Sequence, residues 1–376
     1  MLNNWMINIC VDARMIHNSG IGVYIRHYLN YLLSKEAFVV TLLGRRKELT
    51  EAFGQFSNWK YVEADFPIYS IQEQIKLPLL IPSCDIFWSP HYNIPMLPIR
   101  ANKRLVTVPD VFHIAHLETL TTAQKLYAST VTRAAVRLSD RIITISDFSA
   151  REITRLTGVL ANKVVTIPLG LDRNLFKRVD DGLVRDRVRR KYQLPKQYIL
   201  FVGNVKPNKN LQQLVEGFAR LLTKLPDYYL LIVGKKDGFI TGDKRLIDRI
   251  DTDPALAKKV SFSGYVDLVD LPVLYSMADV FAFPSIYEGF GFPPLEAMAC
   301  GCPVVASNRS SIPEVCGTAA YYIDPVDAED MEKGLWNVLT DETLRQRLIA
   351  SGQAHVNQFD WGQSQQRFAA EIEKLG

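Results

Sequence analysis

Short apolar runs of strand length alternate along the chain with segments whose apolar residues recur at helical spacing. In the first half, strands are predicted at residues 5–11, 39–43, 86–89, 104–108 and 141–145. In the second half they are predicted at residues 198–202, 229–234, 260–264 and 280–283. Strands that alternate with helical patterns indicate parallel sheets with helical crossovers. The pattern therefore predicts an α/β protein with two Rossmann-like halves.

Helices are predicted where apolar residues fall on one face. These residues are Ile25, Tyr28, Leu29, Leu32 and Leu33 after the first strand, and Leu211, Leu214, Val215, Phe218 and Leu222 after strand 198–202. The segment Phe359-Asp-Trp-Gly introduces a last helix that runs through Phe368 and Ile372. Each of these helices has one apolar face for packing against a core.

Length and composition limit the classes of protein. A chain of 376 residues exceeds the size at which single cores usually stop growing, so two domains are expected. The formal charge of +4 is small, and there is no Lys/Arg block, so no nucleic-acid partner is expected. No stretch approaches the roughly 18 to 20 apolar residues that span a bilayer. The N-terminus has the pattern of a buried strand rather than of a signal peptide.

The five cysteines are too dispersed for a zinc site or a disulfide framework. Only Cys300 and Cys302 lie close together, and no histidine is near them. This spacing predicts reduced, structural thiols in a cytoplasmic protein and no bound metal.

Two glycines follow the first predicted strand. Gly20 and Gly22 are predicted on the turn into the first helix, where a strand, a glycine turn and a helix can form a phosphate cradle. The segment lacks the third glycine of the dinucleotide fingerprint, so alone it is weak evidence for such a site.

Two carboxylates flank another strand-to-helix turn. Glu288 lies in the loop and Glu296 lies about one turn into the helix, while Gly289 and Gly291 break the strand and Pro293 suits the first helical turn. The helix N-terminus presents unpaired N–H groups, and the glycines permit close approach to the backbone. A bound anion is one interpretation, and a solvated glutamate pair is the other.

Two lysines follow strand 198–202. Lys206 and Lys209, in Gly203-Asn-Val-Lys-Pro-Asn-Lys-Asn, are predicted at the N-terminus of the next helix. Helix dipole, free N–H groups and ammonium charge coincide there, which favours an anion, although a solvated lysine pair is the alternative.

These motifs resemble those of one family. Glu288-x7-Glu296, set in E-G-F-G-F-P-P-L-E-A-M-A-C-G-C-P-V-V-A-S, is similar to the donor-binding signature of the family-4 retaining glycosyltransferases of the GT-B fold. The resemblance extends over nearly the whole chain and is strongest at residues 195–325. It implies two Rossmann-like domains facing a cleft, with the C-terminal helix crossing back to the first domain.

The resemblance also implies where the domains lie. An acceptor domain would comprise residues 1–180 with 358–376, and a nucleotide-sugar domain would comprise residues 190–357. The charged run at residues 180–191 has the polarity of a surface connector between them.

By the same resemblance, Glu288 would contact the donor sugar and Glu296 the ribose. Lys209 would hold the diphosphate, with Lys206 replacing a basic residue that the family often has where this chain has Asn204. The implied donor-binding set is Gly20, Gly22, Asn204, Lys206, Lys209, Tyr265, Glu288, Gly289, Phe290, Gly291, Phe292 and Glu296. Tyr265 would stack on the base, and plugging a strand end is its alternative role.

The chain departs from the family at one expected contact with the donor sugar. The segment that usually reads His-Asp after a strand has Pro109 in the histidine position and keeps Asp110. The implied catalytic residues are therefore Glu288, Lys209 and Asp110, the last near the acceptor. Nearby candidates for the missing histidine, each more often structural at a strand end, are His91, His113 and His116.

The implied activity is retaining transfer of a hexose to a saccharide or lipid-linked saccharide acceptor in cell-surface polysaccharide synthesis. Mannose from GDP-mannose is the first candidate, and no metal or other cofactor is expected. A non-catalytic nucleotide-sugar-binding subunit would explain Pro109 but not the retained Glu288, Glu296 and Lys209. An NDP-sugar epimerase would lack the Glu-x7-Glu segment, and an NAD-dependent dehydrogenase would require the third glycine.

Four arginines lie on two predicted helices of the first half. Arg133, Arg137, Arg151 and Arg155 have two interpretations, a solvated face or contact with anionic lipid or a lipid-linked diphosphate. The expected location is the cytoplasm, and the second interpretation would add the inner face of the plasma membrane.

Overall fold

The computed structural model describes residues 6–116, 121–234 and 244–376. The chain divides into two compact units, Met1–Gly170 with Trp361–Gly376, and Leu171–Asp360. Each unit is organised around its own parallel sheet, as the alternation of apolar runs predicts.

The strands of the first unit are β1 (Ile7–Asp12), β2 (Phe38–Gly44), β3 (Trp59–Glu63), β4 (Cys84–Ser89), β5 (Ala101–Thr107), β6 (Arg141–Thr144) and β7 (Val164–Thr166). Its first six helices are α1 (Ser19–Leu33), α2 (Arg46–Phe53), α3 (Ile71–Leu80), α4 (Phe112–Ala115), α5 (Thr122–Leu138) and α6 (Asp147–Thr157). Among the described residues the strands form one parallel sheet in the order β3-β2-β1-β4-β5-β6-β7. The buried central strand β1 is thus paired with both β2 and β4.

The strands of the second unit are β8 (Tyr198–Val202), β9 (Tyr229–Val233), β10 (Val260–Gly264), β11 (Val280–Phe283), β12 (Val304–Ser307) and β13 (Ala320–Ile323). Its helices in the described ranges are α7 (Gly182–Tyr192), α8 (Leu211–Leu222), α9 (Lys244–Thr252), α10 (Pro254–Lys259), α11 (Leu271–Met277), α12 (Phe292–Ala299), α13 (Ile312–Cys316), α14 (Ala328–Thr340) and α15 (Glu342–His355). The sheet order is β10-β9-β8-β11-β12-β13, again parallel.

Both sheets reverse their strand order beside the first strand of the unit, between β1 and β4 and between β8 and β11. In open parallel sheets, ligands bind outside the carboxyl ends of the strands at such a switch point. The topology therefore marks one candidate position in each unit before any side chain is considered.

The last helix, α16 (Trp361–Glu373), returns to the first unit, which confirms the predicted crossing back. The Trp361 ring stacks on His27 with centroids 3.9 Å apart, and Phe368 packs against Tyr28 at 4.4 Å. A Cβ atom on Gly170 would lie 2.3 Å from the Trp361 backbone nitrogen, so glycine is required for this close approach.

Two expectations from the sequence, one about a helix start and one about a connector, are wrong. Gly20 and Gly22 lie in the first turn of α1 rather than on the turn before it. A Cβ on Gly22 would lie 2.2 Å from the Ile16 carbonyl oxygen, so the close packing of this turn explains that glycine. The charged run expected to be a connector is helix α7, capped by Asp181, whose carboxylate accepts from the Leu183 and Val184 backbone nitrogens.

Strands β3, β7, β12 and β13 were not apparent from the apolar pattern. Strand β3 lies at the sheet edge and has no fully buried residue, and β7 has only three residues. The predicted first strand begins at Ile7 in the structure, and residue 5 lies outside the described residues. The five cysteines are all buried and unpaired, in agreement with structural thiols.

Candidate functional site

The loops after β8 and β11 meet at the switch point of the second sheet. The first carries Lys209 and the second carries Glu288, and Lys209 Nζ lies 2.5 Å from Glu288 Oε1. Their side chains are only 20% and 13% exposed. Lys209 Nζ also lies 5.6 Å from the centre of the Phe283 ring. The structure thus brings together two of the three predicted catalytic residues.

Two asparagines that flank Lys209 tie these loops to each other. Asn208 exchanges two hydrogen bonds with the backbone of the β11 loop, at 2.9 and 3.2 Å. The Asn210 amide donates to the carbonyl oxygens of Pro284, at 3.2 Å, and Pro325, at 2.5 Å. Asn210 has a φ of +55°, a left-handed conformation that asparagine tolerates well. These hydrogen bonds fix the loop that carries Lys209. The asparagine on each side of the lysine is the feature of the sequence that could have indicated them.

Two serines hold the backbone of the glutamate loop. The Glu288 backbone nitrogen donates to Ser310 Oγ at 3.1 Å. Ser311 Oγ lies 2.9 Å from each of the carbonyl oxygens of Glu288 and Phe290 and donates its single hydrogen between them. Ser310 also has a positive φ, +57°, which identifies this turn as strained. The loop that presents Glu288 is therefore fixed from behind, and neither serine was identified from the sequence.

The glycine-rich turn after Glu288 leads directly into α12. Gly291 has a φ of +113° and precedes the first helical residue, Phe292, so only glycine is readily accommodated there. Phe290 is buried and packs against Phe292 and Phe359, with centroids 5.4 and 5.8 Å apart. The phenylalanines and Gly289 thus belong to a packed turn at a helix N-terminus, which suits an anion.

The two glutamates of the motif have different environments. Glu296 Oε2 accepts a hydrogen bond of 2.9 Å from the hydroxyl of Tyr275, which is fully buried. Burial raises the pKa of Glu296 to about 7. Glu288 instead forms the ion pair with Lys209. Tyr275 is the partner that the spacing of the motif does not reveal.

Three further predicted donor-binding residues lie on loops at the carboxyl edge of this sheet. Asn204 and Lys206 are exposed in the β8 loop, where the Lys206 nitrogen donates to the Asn204 carbonyl oxygen at 2.9 Å. Tyr265 follows β10, and its side chain is 74% exposed. That exposure contradicts the alternative role of plugging a strand end. No contact joins Tyr265 to Lys209 or Glu288 in the described chain.

In the first unit, Asp110 and Pro109 follow β5. Asp110 Oδ1 accepts from the Phe112 backbone nitrogen at 3.0 Å, at the start of α4. Asp110 therefore has a structural contact at the carboxyl end of a strand. Gly20 and Gly22 lie in this unit as well, on α1.

A buried group of polar side chains, which we call the Arg14 cluster, lies at the switch point of the first sheet and consists of Asp12, Arg14, Glu73 and Asn93. Arg14 Nε and Nη2 donate to the two Asp12 carboxylate oxygens at 2.8 and 2.6 Å, and Nη2 also donates to Glu73. The Arg14 and Glu73 side chains are 4% and 1% exposed. Arg14 Nη1 has no acceptor among the described residues.

Glu73 is the centre of this cluster. Besides Arg14, its carboxylate accepts from Asn93 Nδ2 and, at 2.7 Å, from the backbone nitrogen of Tyr69, whose φ is +58°. The Asn93 side-chain oxygen accepts from the Tyr127 hydroxyl at 2.8 Å. Arg14 also lines an open pocket of about 290 Å³ beyond the ends of β1, β2 and β3. The sequence offered no signal for the cluster beyond two charges after β1.

The candidate histidines are packed among aromatic rings. His113 stacks on Tyr92 with centroids 4.1 Å apart, and its Nε2 lies 2.8 Å from Thr132 Oγ1. His91 packs at 4.0 Å against the same tyrosine and lies 3.2 Å from the Tyr69 hydroxyl. Burial lowers the pKa of His91 to about 3 and that of His113 to about 4. His116 packs on Phe112. These contacts describe neutral, structural imidazoles for His91 and His113.

These two histidines predict an acid-sensitive first unit. The unfolded chain takes up a proton on each histidine near pH 6.5, whereas the folded protein does not until about pH 4 and 3. Stability is therefore lost as pH falls below about 6.5, by up to about 1.4 kcal/mol per pH unit for each histidine. Urea unfolding between about pH 7 and 5 measures this slope. A His91→Asn/His113→Gln variant should flatten it, and an unchanged slope would contradict the assignment.

Two further kinds of feature are absent from the described parts of the chain. No group of three or more His, Cys, Asp or Glu side chains is arranged to hold a metal ion among residues 6–116, 121–234 and 244–376. In those same ranges no helix combines the length and the apolar composition needed to cross a membrane.

Solved structures share this architecture. Sucrose-phosphate synthase from Thermosynechococcus elongatus superimposes with a TM-score of 0.76 at 19% identity, over 98% of this chain and 99% of that one. HepE from Anabaena, solved in complex with UDP and glucose, superimposes with a TM-score of 0.76 at 20% identity, over 98% and 100%. Two parallel α/β units with these neighbours define a GT-B fold.

Curated relatives match the chain over part of its length. O-antigen chain mannosyltransferase B of Escherichia coli is 36% identical over 58% of this chain and 57% of its own length. Serotype-specific mannosyltransferase WbdA of Escherichia coli is 30% identical over 59% of this chain, but that region is only 27% of the relative. O-antigen chain mannosyltransferase RfbU of Salmonella typhimurium is 25% identical over 72% of this chain and 69% of its own.

Two family matches together cover most of the sequence. Residues 18–175 match Glycosyltransferase Family 4, and residues 184–355 match Glycosyl transferases group 1. The chain belongs to the family-4 glycosyltransferases of the GT-B fold.

Proposed function

We propose that the protein is a retaining glycosyltransferase that moves a hexose from a nucleotide-sugar to a saccharide or lipid-linked saccharide in cell-surface polysaccharide synthesis. The observation that carries this proposal is the Lys209–Glu288 pair, held at the switch point of the second sheet beside the N-terminus of α12. The names of the relatives, which are O-antigen mannosyltransferases, support transfer of mannose, with GDP-mannose as the first candidate donor.

The proposed mechanism depends on the charges that develop as the bond between the sugar and the diphosphate breaks. As the bond to the sugar breaks, the leaving diphosphate gains negative charge and the sugar ring gains positive charge. Lys209, Lys206 and the backbone N–H groups at the start of α12 would stabilise the diphosphate. Glu288 would contact the sugar, and Glu296, held by Tyr275, would accept from the ribose hydroxyls. Because cationic side chains meet the leaving group, we propose that no metal ion takes part.

The acceptor is proposed to bind the first unit. The Arg14 cluster lies at its switch point, and Arg14 lines the pocket beyond the ends of β1, β2 and β3. Asp110, at the end of β5, is the second candidate for contact with the acceptor.

Thermal unfolding with GDP, UDP, TDP and ADP and their hexose conjugates tests the donor. A ligand at 100 times its dissociation constant adds about 2.7 kcal/mol, which corresponds to a rise of roughly 5 to 10 °C for a unit of this size. We expect GDP and GDP-mannose to give the largest shift. The shift should disappear in Lys209→Ala but persist in Lys196→Ala, an exposed lysine before β8.

Turnover separates the proposal from its main alternative. With the selected donor and a lipid-linked saccharide, we expect release of the nucleoside diphosphate and elongation of the acceptor. A shift without turnover on any acceptor would assign a non-catalytic binding subunit, which the Pro109 position favours. The absence of a shift with every nucleotide would overturn the proposal.

A further inference from the structure

Three side chains of helix α7 contact one buried carboxylate. Arg187 Nη2 and Lys191 Nζ donate to the Asp270 carboxylate at 3.0 and 2.7 Å, and the Tyr192 hydroxyl donates to it at 3.0 Å. The Asp270 side chain is only 4% exposed, so its charge requires these donors. Lys191 Nζ also donates to the Asp267 carboxylate at 2.6 Å. We call Arg187, Lys191, Tyr192, Asp267 and Asp270 the Asp270 cluster.

The Asp270 cluster fixes the segment between β10 and α11. The Tyr192 hydroxyl accepts from the Asp267 backbone nitrogen at 3.1 Å while it donates to Asp270, so one hydroxyl bonds both ends of the turn 267–270. Asp270 occupies the N-cap position of α11 but makes no side-chain hydrogen bond to that helix. An aspartate at this position usually caps its own helix. Here its carboxylate is bonded to α7 instead, so it holds the loop in place.

Both ends of this turn lead to residues proposed to bind the nucleoside. On the N-terminal side, Tyr265 is 74% exposed after β10, and the buried Val266 joins it to Asp267. On the C-terminal side, α11 carries Tyr275, whose hydroxyl donates to Glu296 at 2.9 Å. The proposed contacts to the base and to the ribose are therefore both connected to the Asp270 cluster by a short stretch of chain.

The place of β10 in the second sheet suits a base. Strand β9 separates β10 from β8, the strand that precedes Lys209. Two strand spacings amount to about 10 Å. This separation leaves room for a ribose between a diphosphate held by Lys209 and a base held by Tyr265.

We propose that the Asp270 cluster positions the nucleoside half of the donor, so that Tyr192 and Lys191 set the affinity for base and ribose without contact with either. This inference rests on the proposed function, because it requires a nucleotide whose diphosphate lies at Lys209. A loop that is held in its binding conformation beforehand spares the ligand the cost of ordering it. The alternative is a cluster that only stabilises the fold, which would affect every ligand alike.

Calorimetric titration of the full chain tests the proposal. GDP, UDP, TDP and ADP are titrated into wild type, and the tightest of them into Tyr192→Phe, which removes only the hydroxyl. We expect binding to weaken by about three- to tenfold, the effect of one lost hydrogen bond. Inorganic pyrophosphate has the diphosphate but no nucleoside. Measured by its displacement of the nucleotide, it should bind wild type and Tyr192→Phe equally.

The matched control removes a tyrosine hydroxyl elsewhere in the same unit. The Tyr321 hydroxyl accepts from Asn337 Nδ2 at 3.0 Å, and its strand β13 lies at the opposite edge of the sheet from β10. Tyr321→Phe should therefore bind the nucleotide like wild type.

Two further comparisons show whether the cluster acts through the nucleoside contacts. In a Tyr265→Ala background, Tyr192→Phe should weaken nucleotide binding less than it does in wild type, because both changes affect the same contact. In turnover, Tyr192→Phe should raise the KM for the donor and leave kcat unchanged, since the base is bound equally before and during the reaction.

The outcomes separate this inference from the proposed function. If no nucleotide binds wild type, the proposed function fails and this inference fails with it. If wild type binds a nucleotide, three results overturn the inference alone: equal binding by Tyr192→Phe, an equal loss of pyrophosphate binding, or an equal loss in Tyr321→Phe. Circular dichroism checks the folding of each variant. If Tyr192→Phe does not fold, Lys191→Met, at a side chain that is 44% exposed, provides the same comparison and should weaken nucleotide but not pyrophosphate binding.

Discussion

Lys209→Ala is expected to lower turnover by about 10² to 10³, the effect of removing one well-placed donor to developing negative charge. Lys209 is mostly buried and its position is set by Asn208 and Asn210, so no other side chain can take its place without rearranging both loops. Steady-state kinetics with the donor and acceptor identified by the binding panel provide the measurement. The loss should appear in kcat as well as in kcat/KM, because the lysine acts on charge that develops during the reaction.

Glu288, the ion-pair partner of Lys209, can be substituted in the same way. Glu288→Ala should also reduce turnover strongly, and the double variant should lose less than the product of the two single effects, because residues in contact are not independent. Lys196→Ala is the matched control and should leave kcat unchanged. If Lys209→Ala retains turnover within about threefold of wild type while folded, the proposed role of the lysine is wrong.

Most strands that are buried on both faces were predictable, although the fully buried β12 was missed because its apolar run lies within the glutamate motif. Strands β8 and β11 are continuous apolar runs, and the structure places them at the centre of the second sheet. Edge strands lack this signal, since β3 exposes Lys60 and Tyr61 and the two central tyrosines of β13 are only partly buried. The helix α7 was missed for the converse reason. Of its residues only Val188 is fully buried, so its apolar period is too weak to stand out from its charges.

The residues of the candidate site were also predictable only in part. Glu288, Glu296 and Lys209 lie in motifs that are local in sequence, so their residue types were identifiable. Their partners were not, because Lys209 and Glu288 are 79 positions apart and Tyr275 and Glu296 are 21 apart. The Glu-x7-Glu spacing suggests two carboxylates acting together, yet one is paired with a lysine and the other with a buried tyrosine. Only the sheet topology decides which distant loops meet.

The switch points of the two sheets share one feature, a pair of oppositely charged side chains. Each has an oppositely charged pair that joins the loop after one central strand to another part of the unit, Lys209 with Glu288 and Arg14 with Glu73. The pair in the second unit is partly exposed, whereas the pair in the first is almost fully buried. Charge in the first pair is therefore costly to leave uncompensated, and its effect on stability should be larger.

Glu73→Ala is accordingly expected to destabilise the first unit by roughly 3 to 5 kcal/mol, because it leaves the Arg14 guanidinium with Asp12 alone and removes acceptors from Asn93 and the strained Tyr69. A Trp336→Phe background confines tryptophan fluorescence to the first unit, since the other four tryptophans precede residue 171 or follow residue 360.

Urea unfolding in that background reports the free energy of the first unit by itself, provided that its transition is two-state. The matched control is Glu51→Ala, an exposed glutamate on α2, which should change stability by less than about 0.5 kcal/mol. Glu73→Gln keeps an acceptor oxygen but removes the charge, so its effect should lie between the two. A Glu73→Ala variant as stable as the control would show that the Arg14 cluster does not support the fold. The buried network would then have to be explained by ligand binding alone.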